Sequence, residues 1–384
     1  MSHLTTTPQE QDLPRYALSG DAQPAAYLFD HARHPRNPAL VTAVRSAAAR
    51  LARKLSALDA NRLEISPYIR RHVRMKQESI EAYLQLYAFI LAWSLAQNRR
   101  PLEDVTFCDY GAGSGVLAML ARELGIGTVI YNDIYDVSCR DAELIARQIG
   151  CRADHYVEGD VDALVSFLKA NRLELTTIAS YDVIEHVYDT PRFLERLPRI
   201  VTGGVAMASG ANPFNPVTRR KLMQIHREFE YRDRKPREGQ KERDTTRSHL
   251  VIRRDILREM ALGLSDADLD SLARQTRGLK RDDIEIAARA FVATGNAPVP
   301  DHPTNTCDPY TGNWQERLMN PYSLAQALRA GGCREAAVIA GYCGCRASHL
   351  MRRLAKRGIN LMIRAGGPAG LVAAPFYMVC GWKP

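Results

Sequence analysis

From about residue 104 onward, short apolar runs alternate with segments in which apolar residues recur every three or four positions. The runs include VTFC, GTVIYND, TTIASYDVI and GGVAMASGAN. Each run has the length and β-branched content of a buried strand, and the segments between them have the period of an amphipathic helix. Strands that alternate with helices across short connections predict an α/β fold, with a parallel sheet covered by helices on both faces.

Changes in this pattern predict how the chain is divided. Residues 1–37 are polar and predict a flexible leader, and residues 38–100 predict a helical N-terminal cap region. Residues 101–213 hold the first five strands, and the charged, helical residues 214–318 predict an insertion after the fifth strand that recognises the substrate. The strand–helix pattern resumes over 319–384. We therefore expect a mostly parallel sheet of seven strands.

The composition is that of a globular protein with a core of its own. The chain has 384 residues, of which 46% are hydrophobic and 25% are charged. The longest apolar stretch, from Ala82 to Ala96, is shorter than the roughly 20 residues of a membrane span. The N-terminus has no apolar signal region, so we predict a cytoplasmic protein without a membrane partner.

Positive charge is concentrated in one part of the predicted insertion. The net charge is +9, and the stretch from Arg219 to Arg258 holds 14 Lys/Arg against 7 Asp/Glu. A solvated helical face is one interpretation of this stretch, and recognition of an anionic small molecule by arginines is another. Nucleic acid is disfavoured because acidic residues are interleaved with the basic ones and no RNA-binding motif accompanies them.

The eight cysteines do not form a recognisable metal motif. Cys343 and Cys345 form a C-x-C pair with His349 nearby, but a second ligand pair is absent. Reduced thiols are the better interpretation for a cytoplasmic protein, and we predict no metal.

The segment DYGAGSG lies between a predicted strand and a predicted helix. Gly111, Gly113 and Gly115 bring the backbone close to a ligand and direct N–H groups at it. The spacing is G-x-G-x-G, and Val116 stands where a dinucleotide-binding turn would have its next glycine. Asp133, which ends the next strand, can accept hydrogen bonds from both hydroxyls of a ribose.

Two further segments follow in order, YVEGDVDAL and SYDVIEHVYD. With the glycine turn and Asp133, they resemble class I S-adenosylmethionine-dependent methyltransferases. The resemblance is to the small-molecule branch in particular, and it covers about 101–213 and, more loosely, 320–384. It implies a Rossmann-like fold, S-adenosylmethionine as cofactor and no catalytic metal.

The resemblance also implies a role for each matching position. Asp109 would orient the amino group of the methionine half beside the three glycines, Asp133 would hold the ribose, and Asp160 would receive the adenine amino group. The segment 182–184 would line the wall next to the sulfonium. The cofactor-binding residues expected in this way are Asp109, Tyr110, Gly111, Ala112, Gly113, Ser114, Gly115, Asn132, Asp133, Ile134, Gly159, Asp160, Val161, Asp182, Val183 and Ile184.

Three residues are candidates for the catalytic chemistry. His186 follows the fourth strand and could take a proton from a hydroxyl acceptor, or could only shape the pocket. Glu185 is expected to turn toward the cofactor or a helix end. His226 stands four residues before Glu230, so the two could form a base with its orienting carboxylate, half of a metal site, or only a surface hydrogen bond. Arg74 and Lys76 could meet the cofactor carboxylate.

The expected activity is methyl transfer to an oxygen or nitrogen of a polar small molecule, which could be anionic or contain a sugar, in small-molecule biosynthesis. Two alternatives stay open. One is an RNA-modifying methyltransferase, and the other is a protein that binds S-adenosylmethionine without catalysis. The sequence is compatible with a homodimer and does not identify the acceptor.

Overall fold

The computed structural model describes residues 35–236, 239–241, 243–344 and 350–383. The leader expected over 1–37 therefore falls almost entirely outside the described residues, as do Cys345 and His349. The described strands are β1 (Thr106–Tyr110), β2 (Thr128–Asp133), β3 (His155–Glu158), β4 (Leu175–Tyr181), β5 (Val201–Ser209), β6 (Glu335–Ala340) and β7 (Tyr377–Trp382). The described helices are α1 (Pro38–Ala57), α2 (Pro67–Glu78), α3 (Ile80–Ser94), α4 (Val116–Leu124), α5 (Asp136–Gln148), α6 (Val161–Asn171), α7 (Thr190–Ile200), α8 (Pro216–Tyr231), α9 (His249–Glu259), α10 (Asp266–Gln275), α11 (Arg281–Thr294), α12 (Pro321–Ala330) and α13 (Leu350–Ala365).

The seven strands form one sheet in the order β3-β2-β1-β4-β5-β7-β6. Strands β1 to β5 pair in parallel, and β7 runs antiparallel to both β5 and β6. The expected mostly parallel seven-stranded sheet is thus confirmed. The strand order reverses at β1, which has β2 on one side and β4 on the other. In open α/β sheets ligands bind beside such a reversal, at the carboxyl ends of the strands.

The N-terminal helices cover one face of this sheet. Helix α3 is apolar on nearly every side because it packs between α1 and the strands β4 and β5. At its end the Thr177 hydroxyl donates to the Ser94 carbonyl at 3.0 Å. A Cβ at Gly204 would lie 2.4 Å from that same oxygen, so glycine there lets helix and strand touch. In the described part of the chain, no helix is both long and apolar enough to cross a membrane.

Helices α8 to α11 come between β5 and β6 in the chain. Helices α9, α10 and α11 share a small apolar core, centred on Ile252, Ile256 and Leu272. The Ser265 side chain accepts from the Asp268 N–H at 3.1 Å and begins α10 as its N-cap. A buried ion pair joins Glu230 of α8 to Arg253 of α9 at 2.5 Å. The insertion is therefore held by apolar packing and by charges that are shielded from water.

Candidate active site

The turn after β1 has glycine at three positions because the backbone there is left-handed. The φ angle is +66° at Gly111, +54° at Gly113 and +74° at Gly115. A Cβ at Gly111 would lie 2.5 Å from Val183 Cγ2, whereas a Cβ at Gly113 would meet no heavy atom within 4 Å. Gly111 thus lets the turn pack against the segment after β4, and Gly113 leaves open space beside the turn.

The Asp133 carboxylate, where β2 ends, holds the glycine turn in place. Its Oδ2 accepts from the Gly113 N–H at 2.8 Å, and its Oδ1 accepts from the Tyr135 N–H at 2.9 Å. The Tyr131 hydroxyl donates to the Gly113 carbonyl at 2.6 Å. Because a carboxylate oxygen can accept two hydrogen bonds, both oxygens of Asp133 keep a position for a ligand hydroxyl.

The turn that contains Asp160 is tied to the end of β2. The Asn132 side-chain amide donates to the carbonyls of Val157 and Gly159 at 2.9 and 3.0 Å. Asp160 Oδ1 accepts from the N–H groups of residues 162 and 163, so Asp160 also begins α6 as its N-cap. Asp160 therefore has a structural role in the helix, whatever ligand it meets.

A buried lysine reaches the glycine turn from helix α2. The Lys76 ammonium donates to the Ser114 hydroxyl at 2.6 Å. Burial lowers the pKa of Lys76 to about 8, although Asp109 and Asp182 oppose that shift. Burial raises the pKa of Asp109 to about 7, and its Oδ2 accepts from the Ala118 N–H at 2.9 Å. Arg74 instead donates to Asn61 on the exposed side of α2, so only Lys76 lies at the turn.

A cavity of about 340 Å³ opens at the carboxyl ends of β1, β2 and β4. Nine of the residues expected from the sequence line it, and Arg243, Lys280 and Gly312 of the insertion line it as well. The expected residues that line it are Tyr110, Gly111, Asn132, Ile134, Gly159, Asp160, Val161, Val183 and His186. Those that do not line it are Asp109, Ala112, Gly113, Ser114, Gly115, Asp133, Asp182, Ile184, Glu185 and His226.

The segment after β4 turns sharply and holds two carboxyl groups, of which Asp182 is partly exposed and Glu185 is buried. Asp182 has a φ of +53°, and its Oδ1 accepts from the Gly210 N–H at 3.1 Å. The fully buried Glu185 accepts from the Ser209 hydroxyl at 2.6 Å, and its other oxygen has no partner within the described structure. Burial raises the pKa of Glu185 well above its usual value. Glu185 therefore turns toward β5 rather than toward the cavity.

His186 has one ring nitrogen fixed and the other directed at a carboxylate. Its Nδ1 donates to the Trp314 carbonyl at 2.7 Å, since a carbonyl oxygen can only accept. The neutral ring then has a bare Nε2, which lies 3.8 Å from Glu316 Oε1. Burial raises the pKa of Glu316, and His186 opposes the shift. Glu316 has no signal in the sequence, because it comes from the insertion, 130 positions after His186.

His226 and Glu230 do not form the pair that their spacing suggested. His226 is fully buried, its Nε2 donates to the Glu316 carbonyl at 3.0 Å, and its Nδ1 accepts from the Thr304 hydroxyl at 3.1 Å. Glu230 binds Arg253 and Arg277 instead. Both ring nitrogens of His226 are thus used inside the insertion, where His226 holds the backbone of Glu316 and has no open path to a substrate.

The cations of the basic stretch from Arg219 to Arg258 differ in exposure and in whether they have a carboxylate partner. Arg253 is buried, and Arg247, Arg254 and Arg258 form ion pairs with carboxylates of the same helical region. Other cations of the stretch line a second cavity, which is described below. In the described part of the chain, no group of three or more His, Cys, Asp or Glu side chains could hold a metal ion.

No family model and no curated protein matches this chain. Solved structures that resemble it include the plantazolicin methyltransferase BpumL with SAH (10% identity, 89% of this chain, 99% of that chain, TM-score 0.36). A SAM-dependent methyltransferase from Archaeoglobus fulgidus is also similar (13% identity, 80% of this chain, 94% of that chain, TM-score 0.35). PKMT2 from Rickettsia typhi with AdoHcy is a third such structure (11% identity, 77% of this chain, 52% of that chain, TM-score 0.34).

The chain covers 42% of the N-terminal domain of EvdMO1, 60% of a ribosomal protein L11 methylase from Lactobacillus delbrueckii and 52% of PKMT2. The topology of the chain itself shows the fold. Its strand order, its antiparallel β7 and the glycine turn after β1 agree with the resemblance seen in the sequence. The chain has the fold of the class I S-adenosylmethionine-dependent methyltransferases.

Proposed function

We propose that this protein binds S-adenosylmethionine at the glycine turn and methylates an oxygen or nitrogen of a polar small molecule. The observation that carries the proposal is the cavity of about 340 Å³, which joins the turn at Gly111 to Asp160 and has His186 on its wall. The open space beside Gly113 and the remaining acceptor positions of Asp133 fit the methionine and ribose parts of the cofactor.

The cofactor contacts follow from this placement. Asp133 would accept from the ribose hydroxyls, Ile134 would lie against the adenine, and Asp160 would accept from its amino group. Lys76 would meet the cofactor carboxylate, because a buried ammonium next to Ser114 gains most from an anionic partner. When bound, S-adenosylmethionine supplies an activated methyl group, and the residues of the cavity would position the acceptor in line with it.

His186 would take the proton that the acceptor loses. Its Nδ1 is held by the Trp314 carbonyl, so the lone pair for proton uptake is on Nε2. Glu316 would stabilise the protonated ring across the 3.8 Å gap. The acceptor would gain a bond to the methyl carbon as the bond from that carbon to the sulfonium sulfur breaks, and its proton would go to Nε2 of His186. The products would be the methylated acceptor and S-adenosylhomocysteine.

A small-molecule acceptor is supported over RNA by how the basic stretch is used. Arg247, Arg254 and Arg258 already have carboxylate partners, which leaves fewer cations for a phosphate backbone. Strong, salt-sensitive RNA binding would favour the RNA-modifying alternative.

The first test is calorimetric titration with S-adenosylmethionine, with NADH as the control ligand. Saturable binding of S-adenosylmethionine alone is expected. Asp133→Ala should abolish it, and Asp136→Ala, three residues later on the exposed start of α5, should leave it intact. No binding, or a preference for NADH, would remove the proposal.

The second test separates catalysis from cofactor binding. With an acceptor found by screening, His186→Ala should lower kcat by about 10²–10⁴-fold and spare cofactor affinity. Glu316→Gln should also lower kcat, but by a smaller factor. An unchanged chemical step in His186→Ala would show that this histidine only shapes the pocket.

A further inference from the structure

A second cavity, of about 250 Å³, lies between helix α2 and the segment that follows α8. Two carboxylates, Asp244 and Asp308, are among its lining residues. Four cations line it, namely Arg71, Arg234, Lys235 and Lys241. The excess of positive charge is what makes this cavity different from an ordinary gap between packed elements.

The two carboxylates do not offset the four cations. Asp308 is used by its own loop, since it accepts from the N–H groups of Tyr310 and Thr311 at 2.8 and 3.0 Å. Burial raises the pKa of Asp244, and Lys241 and Arg243 oppose that shift. Asp244 therefore remains to face the cations of this cavity, and Asp133, at the end of β2, also acts on the charge of Lys241. Four cations still exceed these two carboxylates.

Lys241 is the cation whose environment points most clearly to a ligand. Its ammonium lies over the rings of Tyr68 and Tyr135, at 4.9 and 5.5 Å from their centroids. Lys241 is half-buried, and within the described residues its ammonium makes no hydrogen bond and no ion pair. Two aromatic faces stabilise a cation but accept none of its three N–H donors in the way an oxygen does. A half-buried ammonium in that state gains from an oxyanion.

The field in the cavity is positive. His72, which lies on its wall, has its pKa lowered to about 4, first by burial and then by the charges of Lys76, Lys241 and Arg71. The ring of Tyr68 packs beside that of His72, with centroids 4.5 Å apart. An anion that enters thus meets cations from two separate elements, and rings that could cover the rest of the molecule.

The cavity is next to the proposed site of methyl transfer. His72 is one helical turn before Lys76, which binds Ser114 of the glycine turn. Gln315 lines the cavity and precedes Glu316, the partner of His186. Asn313 lines both this cavity and the one at the glycine turn. A molecule held here by one end lies beside the cofactor cleft.

We propose that this cavity binds an oxyanion group, phosphate or carboxylate, of the methyl acceptor, with Lys241 as its main anchor. This inference rests on the proposed function, because it assumes that the protein methylates an acceptor. It makes the substrate an anionic molecule whose charged end lies between α2 and the insertion. Lys241 is then a specificity-determining residue and not a catalytic one, because it lies away from His186.

The test is titration of the full chain with inorganic phosphate and, separately, with acetate, at an ionic strength held constant with NaCl. Binding of S-adenosylhomocysteine is measured on the same preparation. We expect saturable binding of at least one anion, and the stronger of the two indicates which source of the oxyanion the cavity prefers. Lys241→Gln should weaken that binding about tenfold. Lys241→Arg, which keeps the charge, should restore most of it.

Lys169→Gln is the matched control, because Lys169 is exposed on α6 and lines neither cavity. Equal anion binding by the wild type, Lys241→Gln and Lys169→Gln would overturn the inference, since the anion would then bind elsewhere. Binding of S-adenosylhomocysteine without binding of either anion would also overturn it, and would leave the proposed function standing. Failure of S-adenosylhomocysteine to bind counts against the proposed function instead.

Discussion

The cofactor half of the sheet and the inserted helices hold their charged residues in opposite ways. In the first, carboxylates are held by backbone N–H groups of adjacent turns: Asp109 by Ala118, Asp133 by Gly113 and Asp182 by Gly210. In the insertion, the buried charges of Glu230 and Arg253 hold each other. Backbone amides leave carboxylate oxygens available for a ligand, whereas a paired arginine uses them up. The first arrangement suits binding, and the second suits the assembly of helices.

The largest expected effect comes from breaking the charge pairing of the insertion. Glu230→Gln leaves Arg253 and Arg277 without their shared carboxylate, and loss of one partner of a buried pair costs about 3–5 kcal/mol. In urea, the insertion of Glu230→Gln should unfold at a lower concentration than that of the wild type. Glu259→Gln removes an exposed pair with Arg281 and should cost at most about 1 kcal/mol.

The same variant tests whether the two regions are independent. If the amide-held carboxylates alone make the cofactor site, Glu230→Gln should still bind S-adenosylmethionine at urea concentrations at which its insertion has already unfolded. Loss of binding together with the insertion would show that the cofactor site needs both regions. An equal free energy of unfolding for Glu230→Gln and Glu259→Gln would show that the buried pair does not hold the insertion.

This contrast also explains which parts of the fold and of the candidate site the sequence could predict. The glycine turn and Asp133 are local signals, because each sits directly at the end of a strand and depends on its own turn. Glu316, Lys241 and Arg243 reach the two cavities only through the packing of the insertion. Their spacing along the sequence therefore does not predict that they lie there. The four-residue spacing of His226 and Glu230 is a helix property, and the chain around 304–316 decides that each finds another partner.

Glu185 is the exception within the cofactor half, because a hydroxyl rather than an amide holds it. Burial raises its pKa, so the folded state keeps the proton while the unfolded state loses it above the usual value of 4.5. The stability that the neutral carboxyl provides is thus complete below that pH and is lost as the pH rises, by about 1.4 kcal/mol per pH unit.

Glu185→Gln should therefore melt at nearly the wild-type temperature at pH 4.5 and at a higher temperature at pH 7.5. Thermal unfolding followed by circular dichroism over that range measures the difference. Glu103→Gln, at an exposed position in the segment before β1, provides the control. A difference between Glu185→Gln and wild type that does not change with pH would show that Glu185 is ionised in the folded protein.

A smaller effect distinguishes two glycines of one turn. Both Gly111→Ala and Gly113→Ala place a side chain at positive φ, which costs about 1 kcal/mol or more. Only Gly111→Ala adds a contact of 2.5 Å with Val183, so it should lower the free energy of unfolding by about 1–2 kcal/mol more. Gly113→Ala should instead act mainly on cofactor affinity, since its Cβ enters the open space. The reverse ranking in urea unfolding would contradict the structure.

The smallest effect concerns Lys76, which joins the N-terminal helices to the cofactor half. With a pKa near 8, Lys76 begins to lose its charge above that pH, and a bound carboxylate would favour the charged form. Binding should then take up a proton, and affinity for S-adenosylmethionine should fall as the pH rises from 8 to 9.5. Lys76→Met should weaken binding about tenfold at pH 7 and remove this share of the pH dependence. Arg74→Met, on the exposed side of the same helix, should change neither, and an unaltered pH profile in Lys76→Met would show that the cofactor carboxylate lies elsewhere.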